Sequence, residues 1–382
     1  MNQPDPDQTD IISPERKLLA AQWRAMTPTR MFDYGVPPDD IARMQAMTAE
    51  GMAWDTAAES LADAQEHRAR HALGAGRPVT AVEAYRAAAA NLIFAQMAFN
   101  DDTPRKRQLY DRMSSVLSAV SGVLGDRFEK LELGFGSHYL VGWLVRPPEG
   151  DALGTVVVFG GQSGWGAAYW RHADALAARG LATILAEGPG QGETRLRHHV
   201  YLDGDIAAAY SRYIDFVHQD QSLGSPGIFG NSLGGLYAAL TAAADSRVRA
   251  CCVNGAPARP SLLGYRSFDE QAAAMLGTRD ASRITANFRR LAFDPRRAHI
   301  GCPLLVLHGG RDVLFGLDAQ QPFLDGAGPD KTLRVWPDGD HTIYNHCQER
   351  TSFVADWFAD KLVRRPSGPS AGPGKRQEAK TT

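Results

Sequence analysis

No stretch of this sequence approaches the roughly 20 consecutive apolar residues that a bilayer span needs, so no membrane partner is expected. An excess of charge of one sign is also lacking. The 41 Lys and Arg residues face 43 Asp and Glu, a formal net charge of -2. That balance gives no electrostatic reason to expect nucleic acid or anionic lipid as a partner. Cysteine is scarce: Cys251, Cys252, Cys302 and Cys347 lack zinc-ligand spacing. Three of the four lie in or beside apolar runs, which predicts buried free thiols rather than disulfides or metal ligands. Met1 to Asp10 has neither the basic nor the apolar region of a secretion signal, so a cytoplasmic location is expected. No internal repeat is found, and neither a metal nor a cofactor is called for.

What remains is an ordinary globular composition, 44% hydrophobic and 22% charged. At 382 residues the chain is long enough for one large α/β domain and a smaller one. Residues 1–15 are Pro-, Asp- and Gln-rich, and disorder is expected there. Residues 16–125 carry helical patterns and little that reads as strand. The run Val82 to Phe94 is rich in alanine, with Thr80 and Glu83 placed as a capping box. Gly74-Ala75-Gly76-Arg77-Pro78 separates it from an earlier helix through Trp54 and His67. Asp101-Asp102-Thr103-Pro104 opens another, with Thr103 as cap and Pro104 in the first turn. The aromatics Trp23, Trp54, Tyr85, Phe94 and Phe99 read mostly as core, with one or two facing a pocket.

The pattern changes near Gly125. Phe128 to Leu133 and Tyr139 to Val145 form a candidate antiparallel pair. Thr155 to Phe159, Leu181 to Leu185, Ile228 to Asn231, Val248 to Val253, Leu304 to His308 and Thr332 to Trp336 follow as apolar strands separated by helices. Such alternation predicts a mostly parallel sheet covered on both faces. The segment 258–297 reads as a helical excursion within a domain covering 126–363, and 364–382 as a disordered tail. In an open parallel sheet the chemistry gathers at the carboxyl ends of the strands.

Four segments fall at those ends. Gly230-Asn231-Ser232-Leu233-Gly234 fits Gly-x-Ser-x-Gly between a strand and a helix, the signature of a nucleophile elbow. The glycines admit the sharp turn, and the helix N-terminus aims backbone N–H groups at a developing oxyanion. Asp312 follows one later strand and His341 another. The order Ser232, Asp312, His341 is the Ser…Asp…His order of α/β hydrolases. In that constellation His341 is the general base for Ser232, and Asp312 orients and stabilises the imidazole. The oxyanion donors would be backbone N–H groups of Leu233 and of Gly161 or Gln162. Asp338 and Asp340 are the alternatives to Asp312, and His308 reads as a packed or hydrogen-bonded histidine. Glu187-Gly188-Pro189-Gly190-Gln191-Gly192 lacks the ending of a phosphate loop and reads as a tight loop at the sheet edge.

These residues resemble an α/β-hydrolase family that includes 2,6-dihydroxypseudooxynicotine hydrolase and the fungal heptaketide-shortening hydrolases. The likeness covers about residues 20–362, including Gly74 to Arg77, Ala84 to Ala87, Gly188 to Thr194 and Gly230 to Gly235. It implies a helical N-terminal lid over a Ser/Asp/His site, often in a homodimer. It also implies cleavage of a carbon–carbon bond beside a ketone, or of an ester. Two departures stand out: Glu187 is the acid that opens the Gly-Pro-Gly-Gln-Gly loop, and Asn254 to Pro260 offers no acid after the elbow. The leading expectation is a hydrolase of a small, ring-bearing acyl compound in secondary metabolism. A lyase eliminating acetate from an O-acetylated tetronate-type intermediate is the alternative on the same residues. A non-catalytic binding protein is the third, and the intact constellation argues against it.

Overall fold

The computed structural model describes residues 13–202 and 205–363. The disorder expected for 1–12 and 364–382 lies outside the described residues, whereas Pro14 and Glu15 already belong to a helix. Six helices come first: α1 (Pro14–Ala25), α2 (Pro28–Asp33), α3 (Pro38–Ala49), α4 (Trp54–Gly74), α5 (Pro78–Gln96) and α6 (Pro104–Leu124). The Thr103 hydroxyl accepts the Lys106 N–H at 3.1 Å, capping α6 as its sequence predicts. Such a cap stabilises a helix by about 1 kcal/mol. The capping box at Thr80 does not form. Proline is tolerated at a helix start, so α5 begins at Pro78 and Thr80 falls inside it. Helix α5 packs extensively on α4 and α6, and its alanines and Phe94 are buried. A helix enclosed in this way needs no polar face.

The sheet follows, with β1 (Phe128–Phe135), β2 (His138–Val145), β3 (Gly154–Phe159), α7 (Trp170–Ala177), β4 (Ala182–Glu187), α8 (Gly192–Leu196), α9 (Ile206–Gln219) and β5 (Ser225–Asn231). Beyond it run α10 (Leu233–Ala244), β6 (Ala250–Asn254), α11 (Arg266–Leu276), α12 (Ala281–Arg290), β7 (Leu304–Gly309), α13 (Gln321–Asp325), β8 (Lys331–Trp336) and α14 (Cys347–Leu362). The strand order is β1-β2-β4-β3-β5-β6-β7-β8. β1 and β2 run antiparallel to their neighbours and the remaining pairs are parallel. Hairpin β1-β2 pairs Phe128 with Val145 and Phe135 with His138.

Strand periodicity divides the core into two halves. Val156, Val158, Phe229, Cys252 and Leu305 face α7, α14 and the N-terminal helices in one cluster. Val157, Phe159, Ile228, Cys251 and Val306 face α9 to α12 in the other. The six N-terminal helices thus share a core with the sheet. The four cysteines are free thiols, three of them buried.

Candidate active site

Each candidate residue arrives by its own local geometry. β5 ends at Asn231, and Ser232 turns directly into α10 with φ 54° and ψ -135°. A non-glycine residue rarely occupies that region, and such strain clusters at functional sites. The turn is so tight that a Cβ on Gly230 would lie 2.0 Å from the Gly234 carbonyl oxygen. A Cβ on Gly234 would lie 2.4 Å from the Gly160 carbonyl oxygen. The Ser232 N–H donates to the Asn254 carbonyl at 2.8 Å, tying the turn to β6.

His341 and Asp312 converge on the serine. His341 Nε2 lies 2.9 Å from Ser232 Oγ, and its Nδ1 lies 2.8 Å from Asp312 Oδ2. With Nδ1 donating to Asp312, Nε2 is left as the acceptor for the serine hydroxyl. The other Asp312 oxygen accepts the N–H groups of Leu314 at 2.8 Å and Phe315 at 3.2 Å. Burial works to raise the Asp312 pKa, but the bond from His341 and these N–H groups outweigh it and hold the carboxyl below its ordinary range. Asp338 instead contacts His346, and Asp340 accepts from the Asn345 N–H. His308 is buried against Gln320, away from this chain of bonds.

The turn after His341 is held from two sides. Thr342 and Ile343 adopt positive φ of 58° and 64°. The Thr342 carbonyl accepts from Arg350 at 2.7 Å and from the Asn254 side chain at 3.1 Å. Arg350 is fully buried and paired with Asp33 of α2 at 2.8 Å, so an N-terminal helix reaches the base of this turn.

The loop after β3 completes the arrangement. A Cβ on Gly161 would sit 2.7 Å from the Leu233 nitrogen, so only glycine leaves that N–H uncovered. As the first residue of α10, Leu233 carries an N–H with no intrahelical acceptor. Gln191 Nε2 donates to the carbonyls of Gly160 at 2.6 Å and Gly161 at 3.1 Å, and Trp165 Nε1 also donates to Gly161 at 3.3 Å. A trans peptide points its N–H opposite its C=O, so the N–H groups of Gly161 and Gln162 face away from Gln191. Ser232, Leu233 and Gln162 together line one cleft.

Gln191 belongs to the Gly-Pro-Gly-Gln-Gly loop, which the sequence placed at the sheet edge. That expectation is corrected: β4 lies between β2 and β3, and the loop is buried beside the cleft. Residue spacing alone does not give strand order. Glu187 opens the loop between Gly166 and Gly192, where a Cβ would strike the carboxyl oxygens. It accepts the Tyr110 hydroxyl of α6 and the Glu193 N–H at 2.7 Å. Burial pushes the Glu187 pKa up to about 7 against the lowering effect of those bonds.

The rest of the cleft is apolar and aromatic, with Pro257, Leu262, Phe268, Phe288 and Phe315 among its walls. The excursion supplies most of it. Asp269 of α11 adds a carboxylate, one of whose oxygens is buried without a hydrogen-bond partner among the described residues. Sequence reading looked for an acid at 254–260 and missed it. Its position 37 residues after Ser232, on a helix that folds back, left only the amphipathic pattern of α11 as a signal. For a metal, the described residues group Glu132, Glu193 and His198, with ligand atoms within 4.8 Å of one another. Glu193 is already ion-paired with Lys130 at 2.7 Å and Arg197 at 3.0 Å, which accounts for its charge.

No family model matches the chain. It is 25% identical over 379 residues to the 2,6-dihydropseudooxynicotine hydrolase of Paenarthrobacter nicotinovorans, covering 93% of this chain and 95% of that protein. The crystal structure of the 2,6-dihydroxy-pseudo-oxynicotine hydrolase superposes with a TM-score of 0.78 at 24% identity, over 88% of this chain and 95% of that one. The chain has the α/β-hydrolase fold. A structure of AbyA5 shares this hydrolase fold at a TM-score of 0.59 and 18% identity, over 81% of this chain and 89% of that one. The hydrolase ORFZ of Pyricularia oryzae is 31% identical over 168 residues, 40% of this chain and 39% of that protein. The resemblance carried by the motifs is borne out, and so is the α/β-hydrolase fold.

Proposed function

We propose that the protein is a serine-nucleophile hydrolase of a small, ring-bearing acyl compound. The observation that carries this reading is His341, bonded at 2.9 Å to Ser232 and at 2.8 Å to Asp312. Ser232 Oγ attacks the substrate carbonyl while its proton passes to His341 Nε2. Asp312 keeps Nδ1–H directed towards itself and stabilises the imidazolium. The N–H groups of Leu233 and Gln162 receive the oxyanion, with Gly161 allowing their close approach. Removing one such donor typically costs about 10²–10³ in kcat. His341 then returns the proton to the leaving group, an oxygen for an ester or a carbon for a ketone-activated C–C bond. Water, deprotonated by His341, releases the acyl group from Ser232.

The likeness to 2,6-dihydropseudooxynicotine hydrolase and the aromatic cleft walls support a ring-bearing substrate. The test is mass spectrometry after exposure to a fluorophosphonate. A single adduct on Ser232, absent from Ser232→Ala, is expected. Absence of an adduct on folded protein would overturn the assignment. Product mass then separates hydrolysis, whose products include the elements of water, from elimination of acetate, which leaves an alkene.

A further inference from the structure

Gln162 has the cleft on one side and a second, smaller cavity on the other. The second cavity is polar, with Gln96, Ser163 and Asn100 among its walls, and it contains two cations, Lys106 and Arg195. Both are almost wholly buried, at 3% and 1% exposure. They come from α6 and α8 and meet over Trp165, the ammonium 5.2 Å and the guanidinium 4.8 Å from its ring centre. Asp102 is the carboxylate within reach, 2.9 Å from Arg195. Lys106 donates to the Phe99 carbonyl at 2.7 Å, and Asp101 pairs with the outlying Arg279 at 2.7 Å.

Burying two like charges is costly unless each is compensated. Here Asp102 is paired directly with one of the two cations, while Asp101, whose charge also reaches Lys106, is paired outward with Arg279. Burial, then the neighbouring guanidinium, pushes the Lys106 pKa well below its ordinary value, and burial lowers that of Arg195. Arg195 Nε is buried without a hydrogen-bond partner among the described residues. A bound anion would supply the missing charge and the missing acceptor.

We propose that this second cavity is an anion subsite of the same active site, and that the substrate carries a carboxylate on the part reaching past Gln162. The proposal rests on Ser232 being the nucleophile in the adjoining cleft. Guanidinium and ammonium groups recognise carboxylates through charge-assisted hydrogen bonds, and Trp165 gives both a flat apolar face to lie on.

The test compares matched esters on the full chain. Mono(4-nitrophenyl) glutarate against 4-nitrophenyl pentanoate places the carboxylate on the acyl side. The pair 4-acetoxybenzoate and its methyl ester places it on the leaving side. The anionic member of one pair should show kcat/KM at least about tenfold higher, and that pair identifies the side. In Lys106→Met and in Arg195→Gln the ratio should fall towards one. Because each ratio comes from a single preparation, partly misfolded protein cancels from it. Ratios near one for both pairs in the wild type, or a preference that survives both substitutions, would overturn the proposal. Thermal melting keeps the two readings apart. Glutarate or benzoate should raise the melting temperature where glutaramide and benzamide do not, even in protein that turns over no ester and takes no fluorophosphonate. No difference between acids and amides would count against the subsite whatever the chemistry at Ser232.

Discussion

Gln191 holds Gly160 through a 2.6 Å hydrogen bond from its side-chain amide to the glycine carbonyl. Its other valences are also used: it donates to Gly161 and accepts from the Gly188 N–H and the Tyr210 hydroxyl at 3.1 Å each. Gln191→Leu removes the donors that fix the Gly160–Gln162 peptides. Oxyanion contacts are made in the transition state, so kcat should fall about 10- to 100-fold with KM nearly constant. Stability should drop by about 1–3 kcal/mol for each carbonyl left unpaired. Loss of stability with unchanged kcat would make Gln191 a purely structural residue.

Gly161→Ala tests the other side of the same loop. The added methyl would lie 2.7 Å from the Leu233 nitrogen and 2.9 Å from its Cβ. Either the loop retreats or the Leu233 N–H is covered. Fluorophosphonate labelling should slow by about 10²-fold or more, comparable to loss of one oxyanion donor. A wild-type labelling rate would remove Leu233 from that role.

Glu187 makes stability depend on pH. Its pKa rises from an ordinary 4.5 to about 7 in the folded protein. A carboxyl raised on folding stabilises fully below its unfolded pKa, and that stability is lost as pH rises through the folded one. The difference corresponds to about 3 kcal/mol, undiminished by solvent because the group is buried. Urea unfolding between pH 5 and pH 8 should therefore weaken the wild type relative to Glu187→Gln. Parallel pH curves for the two proteins would contradict this.

Asp33 and Arg350 are buried together, and removing the carboxylate alone leaves the guanidinium uncompensated. Asp33→Ala should lose about 3–5 kcal/mol of stability. Because Arg350 also holds the Thr342 carbonyl beside His341, activity at low temperature should fall as well. Full activity in the destabilised variant would show that the turn holds without the pair.

Much of this was legible in the sequence because the chemistry demands particular residues beside particular strands. Ser232, Asp312 and His341 each follow an apolar run, and the glycines around Ser232 are required by a turn with no room for Cβ atoms. The contributions of Gln191, Asp269, Lys106 and Arg195 were not legible. Each acts through neighbours distant in sequence, and an α helix carrying a lone lysine reads the same whether that lysine meets water or a buried arginine. The misplaced loop at Glu187 has the same origin: β4 is followed in sequence by α8, while in the sheet it lies beside β2 and β3.

The core shared by the N-terminal helices and one face of the sheet has a further consequence for traffic through the site. Swinging those helices outward would bring Tyr34, Tyr110 and the Asp33–Arg350 pair into water, so that half of the enclosure is the stationary one. Entry and exit then fall to the short helices α11 and α12 and their flanking loops. The same segment supplies most of the cleft wall. New substrate preferences can therefore accumulate between residues 258 and 297 while the apparatus around Ser232 stays unchanged.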